Sequence, residues 1–495
     1  MSSEEKRSPA ASSNEEIQEE FHSDVPARWY DKRLVPFLPA YSTATVQIVM
    51  VSFVCFMCPG MFNALSGLGG AGLSDPTLSD NANVALYCTF ATLGFFSGTI
   101  CNWIGVPATL AFGGSGYAIY VASLFCYHYT ENSGFVLFAG AWLGITAACL
   151  WGAQGTILMS YPDEKMKGRM FGMFWTIFNL GGVIGSCIPL AQNIHSKGSS
   201  VNVGTYAAFL ALTIIGAILA FFLLPVRAVK RSDGSRIIAQ KYPSLKTELL
   251  ELLHILVKEP WIMLLFPMFF SSNWFNSYQM SDFNAGRFNI RTRSLNSLLY
   301  WFMQMVGSTC IGFILDLPYF SRKVRARYGW GIVFCITMLI WGLGYLFERT
   351  YTRTSVLDMT PIDFKDGAYI GPMFLYMFYG FYDAVWQTFS YWTMGALTNS
   401  SRKAAVYAGF YKGMQSAGAA IAWRLDSLNK PYRTMWASSW GILCGSLVFA
   451  IPVIFFRIKE TTDLESDLLE SDETLADIKP ITSAVSSSHL GLANA

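Results

Sequence analysis

The segment 43–65, TATVQIVMVSFVCFMCPGMFNAL, decides the fold class of the chain. It contains no Asp, Glu, Lys or Arg. A helix rises about 1.5 Å per residue, so this segment is long enough to cross the hydrocarbon core of a bilayer, about 30 Å. Backbone polar groups find no hydrogen-bond partners in lipid, and a helix forms all of its backbone hydrogen bonds within itself. The segment therefore predicts a membrane-spanning helix.

Eleven further segments meet the same requirement of length and apolar character, although the tenth and eleventh are polar for spans. The twelve predicted spans cover residues 43–65, 84–103, 106–127, 134–158, 170–190, 204–225, 260–280, 295–316, 329–348, 369–393, 403–424 and 435–457. We therefore predict an all-α membrane protein with twelve transmembrane helices, embedded in the lipid bilayer.

The composition agrees with a membrane protein and argues against several other classes. Of the 495 residues, 53% are hydrophobic and 14% are charged, whereas about a quarter are charged in soluble domains. The net charge of +2 offers no basic surface for nucleic acid. The ten cysteines lie in or beside apolar segments, and the five histidines show no metal-ligand spacing. No nucleotide-binding or hydrolase motif occurs, so we expect no enzyme, cofactor or metal.

The distribution of basic residues predicts the orientation. With the N-terminus in the cytosol, most of the 35 Lys and Arg residues fall in cytosolic segments, as the positive-inside rule requires. Arg287, Arg291 and Arg293 oppose the rule, because they fall in a predicted outer loop. We expect both termini in the cytosol, with the plasma membrane as the first expectation and a vacuolar or endosomal membrane as the second. The glycosylation sequence at Asn399 then lies in a cytosolic loop and carries no glycan.

A long basic loop separates the first six predicted spans from the last six. Within this loop, 244–257 has leucines at helical spacing opposite Glu and Lys, which predicts an amphipathic helix on the membrane surface or under the bundle. Both ends of the chain are polar and are predicted to be disordered. The predicted order is a cytosolic tail 1–41, a six-helix half 42–226, a cytosolic linker 227–259, a second half 260–457 and an acidic cytosolic tail 458–495.

Six plus six spans with cytosolic termini resemble the plan of the major facilitator superfamily. After the eighth span, Gly312 to Asp316 and the basic run beyond it resemble part of that superfamily's G-x-x-x-D-(R/K)-x-G-(R/K)-(R/K) loop. A carboxylate at a helix end can hold a basic loop and stabilise one closed state, so we predict a latch of Gly312, Asp316, Arg322 and Lys323. The equivalent place in the first half has Asn102 and no basic loop, which confines the latch to the second half.

Longer stretches in both halves indicate one branch of that superfamily. They are CPGMFNALSGLGG (58–70), WGAQG (151–155), YPDE (161–164), FNLGGVIG (178–185) and YAGFYKGMQSAG (407–418). These stretches resemble the Unc-ninety-three-like (UNC-93-like) branch, in particular its fungal and plant members. The resemblance implies a twelve-span fold. It leaves the activity open, because some members resemble transporters and others are known as regulators of ion channels or escorts of receptors.

Two ionisable residues fall within predicted spans, Asp383 in the tenth and Lys412 in the eleventh. At about 1.5 Å per residue, Asp383 lies roughly 20 Å from Leu397 and Lys412 roughly 15 Å from Arg402, both at the cytosolic side, which places the two near mid-membrane. A charge in hydrocarbon is costly, so each is expected to face a partner or a watery cavity, and the two would ease each other's burial. In the superfamily fold the first, fourth, seventh and tenth spans line the central cavity. The other candidate pathway residues are Gln387, Gln415, Asn273, Asn276, Gln154 and Asn63.

Two functions stay open on this basis. One is a secondary transporter that moves a small organic solute by alternating access, with Asp383 as the proton-coupling residue. The other is a non-transporting regulator or escort that binds another membrane protein. The polar residues can also be purely structural, because Asn, Gln and Ser join helices by hydrogen bonds and an Asp–Lys pair can fix helix packing. Lipid or sterol handling has no dedicated motif here.

Overall fold

The computed structural model of the chain consists mainly of α-helices. It describes residues 28–33, 39–73, 75–162, 167–196, 198, 200–231, 250, 256–397 and 401–460. The ends of the two predicted tails, and almost all of the predicted amphipathic segment 244–257, lie outside the described residues.

Twelve helical rods follow one another in the described chain, one for each predicted span, which confirms the predicted fold class. They are α1 (Ala44–Gly67), α2 (76–104), α3 (Val106–Thr130), α4 (Ser133–Ser160), α5 (Lys167–Asn193), α6 (Val203–Ala220), α7 (260–285), α8 (Ile290–Leu315), α9 (Arg322–Glu348), α10 (Ile370–Leu397), α11 (Ser401–Ser427) and α12 (Tyr432–Arg457). Because their number is even, α1 begins and α12 ends on the same side of the bundle. We call this side the terminal face and the opposite side the distal face.

The rods differ in how clearly they qualify as membrane spans. Among the described residues, eight are long and apolar enough to cross a bilayer, and the protein is a multi-pass membrane protein. The other four rods, α2, α7, α10 and α11, are more polar or are interrupted. A helix that turns a polar side towards other helices needs less apolar surface than one surrounded by lipid. These four are therefore the rods to search for a polar interior.

Rod α7 is the least regular of the twelve. It begins as a 3₁₀-helix at Pro260–Leu265, continues as an α-helix over Phe266–Ser271, turns at 272–274, and ends as a π-helix over Tyr278–Ala285. Irregular backbone at membrane depth is stable only where protein or a water-filled cavity surrounds it. The interruption therefore places 272–274 in the interior of the bundle rather than against lipid.

The buried apolar side chains form two clusters, one drawn almost entirely from α1–α6 and the other from α7–α12. We call these two sets of helices the first half and the second half. They meet mainly where α5 packs on α8 and α2 packs on α11. Within the first half, glycines permit close helix packing: a Cβ on Gly181 of α5 would lie 2.9 Å from the Phe56 Cα of α1. The absence of a side chain at Gly181 therefore allows α5 to lie close to α1.

The structure differs from the sequence-based boundaries at several points. Rod α2 begins at Pro76 and α8 at Ile290, both earlier than predicted, because the polar first turns of these helices are packed within protein. Residues 28–33 and 39–41, predicted as part of a disordered tail, make defined contacts instead. Asp31 pairs with Lys230 at 2.9 Å, and the hydrogen bond from this lysine holds the pKa of Asp31 below its ordinary value.

Candidate functional site

A cavity of about 140 Å³ lies between the two halves of the bundle. Seven of the predicted pathway residues line it: Asn63, Asn273, Asn276, Asp383, Gln387, Lys412 and Gln415. Gln154 is not in this lining as the structure describes it; it lies buried on α4, one turn nearer the terminal face than the lining residue Trp151. Most predicted residues are therefore neighbours in space, and their role as a pathway stays a prediction.

Asp383 lies at mid-length of α10 and is 5% exposed. Its carboxylate accepts three hydrogen bonds from side chains of the second half. Tyr300 Oη and Gln304 Nε2 donate to Oδ2 at 3.0 and 2.7 Å, and Gln387 Nε2 donates to Oδ1 at 3.2 Å. A carboxylate with three donors can hold its negative charge within the bundle. The second half therefore satisfies Asp383 without any contribution from the first.

Lys412 of α11 has a different environment. Its ammonium donates a hydrogen bond of 2.9 Å to Gln415 Oε1 and has no described carboxylate within ion-pair distance. Three aromatic rings surround it, with centroids at 5.0 Å for Trp151, 5.6 Å for Tyr411 and 5.8 Å for Tyr391. Aromatic faces attract a cation at such distances. The ammonium is thus stabilised mainly by rings and by one neutral oxygen.

Two glutamines connect the charged residues. Gln415 Nε2 donates to Gln387 Oε1 at 3.0 Å, and Gln387 in turn donates to Asp383. Asp383 and Lys412 therefore do not form a direct ion pair in the described structure: an amide bridge separates them. The signal in the sequence was only the depth of the two residues, and depth does not determine which side chains meet.

The interruption of α7 anchors this bridge. Gln387 Nε2 donates to the Ser272 carbonyl at 2.9 Å, and Gln415 Nε2 donates to Asn273 Oδ1 at 3.0 Å. A regular α-helix would use the Ser272 carbonyl internally, whereas the turn frees it for a side chain. The polar residues of α7, α10 and α11 thus form one connected network beside the cavity.

Sequence reasoning missed five residues of this site. Gln304 carried the signal used for the other amides, a polar side chain in the middle of a span, and lies one turn from Tyr300 on α8. The ring cage of Lys412 could not be inferred, because aromatic residues are common in these spans and only the folded contacts distinguish them. The missed residues are Tyr300, Gln304, Trp151, Tyr391 and Tyr411.

The predicted latch does not form an ion pair in this conformation. Asp316 caps the end of α8 and is exposed, and no ion pair joins it to Arg322 or Lys323 within the described residues. The backbone N–H of Arg322 instead donates to Glu460 at 2.8 Å. Gly312 has open space where a Cβ would be, so close helix packing does not require it. The latch role of these four residues stays a prediction for another conformation.

The distal ends of the halves are joined by a seam of buried hydrogen bonds. Arg293 of α8 is 4% exposed and donates to the carbonyls of Leu68, at 2.6 Å, and Gly69. Asn284 Nδ2 donates to the Gly67 carbonyl at 2.8 Å. These carbonyls end α1, where a helix leaves acceptors unpaired and its dipole attracts positive charge. Gly69 has a positive φ of 73°, which lets the chain turn these carbonyls towards the second half.

The three arginines that opposed the predicted orientation are buried at this distal end rather than placed in a loop. Arg291 pairs with Asp363, and the Arg287 guanidinium lies 5.6 Å from the ring centroid of Tyr351. Together with Arg293 they stabilise packing within the protein. They are not evidence about which face contacts the cytosol, because the positive-inside rule concerns charges in loops.

The comparisons with known proteins agree with this architecture. Residues 81–461 match the family described as ion channel regulatory protein UNC-93. An UNC93-like protein of Schizosaccharomyces pombe is 54% identical over 426 residues, which is 86% of this chain and 84% of that protein. UNC93-like protein 1 of Arabidopsis thaliana is 40% identical over 433 residues, 86% of this chain and 93% of the relative. Notoamide biosynthesis cluster protein O' of Aspergillus versicolor is 25% identical over 439 residues.

Two solved transporters share the fold. A D-xylose-proton symporter superposes with a TM-score of 0.56 over 84% of this chain and 97% of its own, at 12% sequence identity. The nucleoside transporter NupG superposes with a TM-score of 0.54 over 83% of this chain and 100% of its own, at 14% identity. At such low identity the likeness concerns the fold alone. The chain therefore belongs to the UNC-93 family and has the fold of the major facilitator superfamily.

Proposed function

We propose that the protein is a secondary transporter that moves a small organic solute by alternating access between its two halves. The observation that supports this proposal is the cavity between the halves, which contains Asp383 and Lys412 at mid-length of α10 and α11. Burying two charges is costly, and a static bundle gains little from keeping them beside a cavity. A solute-binding site would account for both the cavity and the two buried charges.

Asp383 is the proposed proton-coupling residue. It is the carboxylate in the cavity lining, and its three donors come from α8 and α10 of the second half, so coupling requires these two helices to shift relative to each other during the cycle. A change in these donors alters how strongly the carboxylate holds a proton. Proton binding at Asp383 would then be linked to the conformation of the bundle, which is the requirement for coupled transport.

Purified full-length protein in vesicles with an internal pH dye tests this proposal. Addition of small organic solutes is expected to produce solute-dependent pH changes with the wild type. Asp383→Asn, which keeps the shape and can still hydrogen-bond, should retain solute exchange but lose the pH change. Asp358→Ala, in the exposed loop after α9, is the matched control and should behave as wild type. Unchanged proton movement in Asp383→Asn would remove the coupling role, and absence of flux for every solute would remove the transport role.

The terminal face is proposed to be the cytosolic one, with both termini inside. The tails, loops and helix ends on that face together carry most of the Lys and Arg residues. Asp358→Asn, with Met359 and Thr360, completes a glycosylation acceptor in an exposed distal loop. We expect this variant to gain a glycan in a eukaryotic host while the wild type, with its acceptor at Asn399, has none. A glycan on the wild type would reverse the orientation.

A second function rests on the description of the family as an ion channel regulatory protein. In this alternative the protein is a regulator or escort that binds another membrane protein and moves no solute. Purification from a mild detergent distinguishes the two. A membrane partner in fixed stoichiometry, together with no solute-dependent proton flux, would support the regulator. Flux by the purified protein alone would support the transporter.

A further inference from the structure

The charges that line the central cavity are satisfied unequally. The Asp383 carboxylate accepts from three side chains of its own half. The Lys412 ammonium has three N–H donors but gives one described hydrogen bond, to the neutral oxygen of Gln415. The rings around it attract its charge but accept no strong hydrogen bond. Among the described residues, the Lys412 ammonium therefore lacks a negatively charged hydrogen-bond acceptor in the cavity.

From this asymmetry we infer that the solute site binds a small organic carboxylate, with the carboxylate on the Lys412 ammonium. The inference rests on the proposed function, since it takes the central cavity as the solute site. Lys412 is partly exposed although it lies in the middle of a helix bundle, which places its accessible surface towards the cavity. A carboxylate there would receive charge-assisted hydrogen bonds from the N–H donors that Gln415 leaves unused.

The remainder of the cavity indicates the body of the solute. Its walls are largely aromatic on the side of the first half, where Phe62, Tyr117, Trp175 and Phe178 line it. Its volume of about 140 Å³ is close to that of a protein cavity of roughly 150 Å³ that holds a benzene molecule. The walls and the volume thus suit an apolar or aromatic body of about one ring.

The same features argue against other ligands of similar size. Phosphate and other dianions would bring two charges to a site with one described lysine, which leaves part of their charge unpaired. A cationic amine would meet the Lys412 ammonium, and the carboxylate that could attract it already has three donors. A neutral amide carries no charge, so it cannot take the place of the carboxylate in a charge-assisted hydrogen bond with Lys412. The charge of the ligand should therefore distinguish a carboxylate from neutral or cationic molecules of the same shape at this site.

Binding of benzoate, benzamide and benzylammonium to purified full-length protein tests the inference, because the three share one ring and differ in charge. We expect benzoate to bind at least about tenfold more tightly than the other two, the ratio that loss of one charge-assisted hydrogen bond produces. The cavity contains several tryptophans, so quenching of their fluorescence can report binding, with thermal stabilisation as a second readout. Inorganic phosphate serves as the dianion control.

Variants locate the site. Lys412→Gln should weaken benzoate binding at least about tenfold and leave benzamide unaffected, whereas Lys365→Gln, on an exposed loop, should change neither. Lys412→Arg keeps the charge and should retain benzoate binding, which guards against a variant that fails to fold. Three results would each overturn the inference. They are equal or tighter binding of benzamide or benzylammonium, failure of all three compounds to bind, and benzoate binding that does not change in Lys412→Gln.

The outcomes separate the inference from the transport proposal. Flux of an uncharged or cationic solute, without benzoate binding, would overturn the carboxylate and leave transport standing. Benzoate binding at Lys412 without flux for any solute would support the site and overturn transport.

Discussion

The distal and terminal ends of the seam between the halves are built differently. At the distal end, buried side chains of the second half donate to the last carbonyls of α1, and Ser186 and Ser297 hydroxyls meet at 2.9 Å. All hydrogen bonds between the halves that the structure describes lie on this side. Towards the terminal face the described contacts across the seam are aromatic, with the Tyr391 ring 5.8 Å from Phe171 and 6.3 Å from Trp175.

If the protein works by the alternating access proposed above, this difference indicates which side of the seam opens. Buried hydrogen bonds are directional and costly to leave unmade, whereas ring contacts tolerate sliding. The structure therefore corresponds to a conformation that is closed at the distal face, and the aromatic side is where the halves can separate with little loss. A conformation that is open at the distal face would have to break the hydrogen bonds to the carbonyls at the end of α1. It would also have to provide new partners for Arg293.

The strongest test of the comparison removes Arg293. Arg293→Met leaves the carbonyls of Leu68 and Gly69 without their charged donor, and two such bonds are worth about 3 kcal/mol or more. That loss would shift the balance towards distal opening by about a hundredfold. The measurement is disulfide formation between Ser186→Cys and Ser297→Cys on oxidation, counted as loss of two free thiols above the ten native cysteines.

The crosslink should form readily in the otherwise native chain and much more slowly with Arg293→Met. Each single cysteine variant is the control for pairing with native thiols. Arg293→Lys keeps the charge with fewer donors and should give an intermediate rate. An unchanged rate in Arg293→Met would mean that the arginine does not hold the distal seam, and the contrast between the two ends would lose its physical basis.

Tyr391→Ala tests the terminal end and should have a smaller effect. The change removes ring contacts with Phe171 and Trp175, and a ring pair contributes about 0.5–1.5 kcal/mol. We expect a modest fall in the melting temperature and no slowing of the distal crosslink. Tyr391→Phe, which keeps the ring, should melt close to wild type. Slowing of the crosslink by Tyr391→Ala as strong as that caused by Arg293→Met would show that the two ends are not distinct.

The sequence predicted the helices and the family because both depend on local information. Span length is imposed by bilayer thickness, and the recognised stretches are contiguous in the chain. The depth of Asp383 and Lys412 was also readable, since an ionisable residue within an apolar segment is rare. These predictions needed no knowledge of which helices touch.

What the sequence could not provide were contacts between distant segments. The cap of Arg293 on α1 joins residues more than 200 positions apart and has no local signature. The turn at 272–274 follows from hydrogen bonds offered by α10 and α11, not from a Pro or Gly within it. The three distal arginines looked like loop residues, because amino-acid composition does not show whether a charged side chain is buried against a partner or exposed to solvent. Tertiary hydrogen bonding, rather than hydropathy, determined these features.

Acid should also weaken the distal end, although this is the smallest of the expected effects. Burial alone would raise the pKa of Asp363, but hydrogen bonds from Arg291 and from the Lys365 N–H hold it below its ordinary value. A carboxyl whose pKa is lower in the folded state stabilises the protein above the unfolded value, about 3.9, and loses that contribution as the pH falls through the folded value. The pair therefore stabilises at neutral pH and fails only in strong acid.

Melting temperatures measured from about pH 3 to about pH 7 can isolate this contribution. Asp363→Asn removes the titrating group while an amide oxygen still accepts from Arg291, so its difference from wild type should shrink below about pH 4. Asp358→Ala, in the same loop but exposed, should follow the wild-type curve throughout. Arg291 also donates to the Ile194 carbonyl of the first half, so loss of Asp363 loosens the residue that bridges the seam. A constant difference across this range would mean that the pair packs the distal loop without contributing its charge.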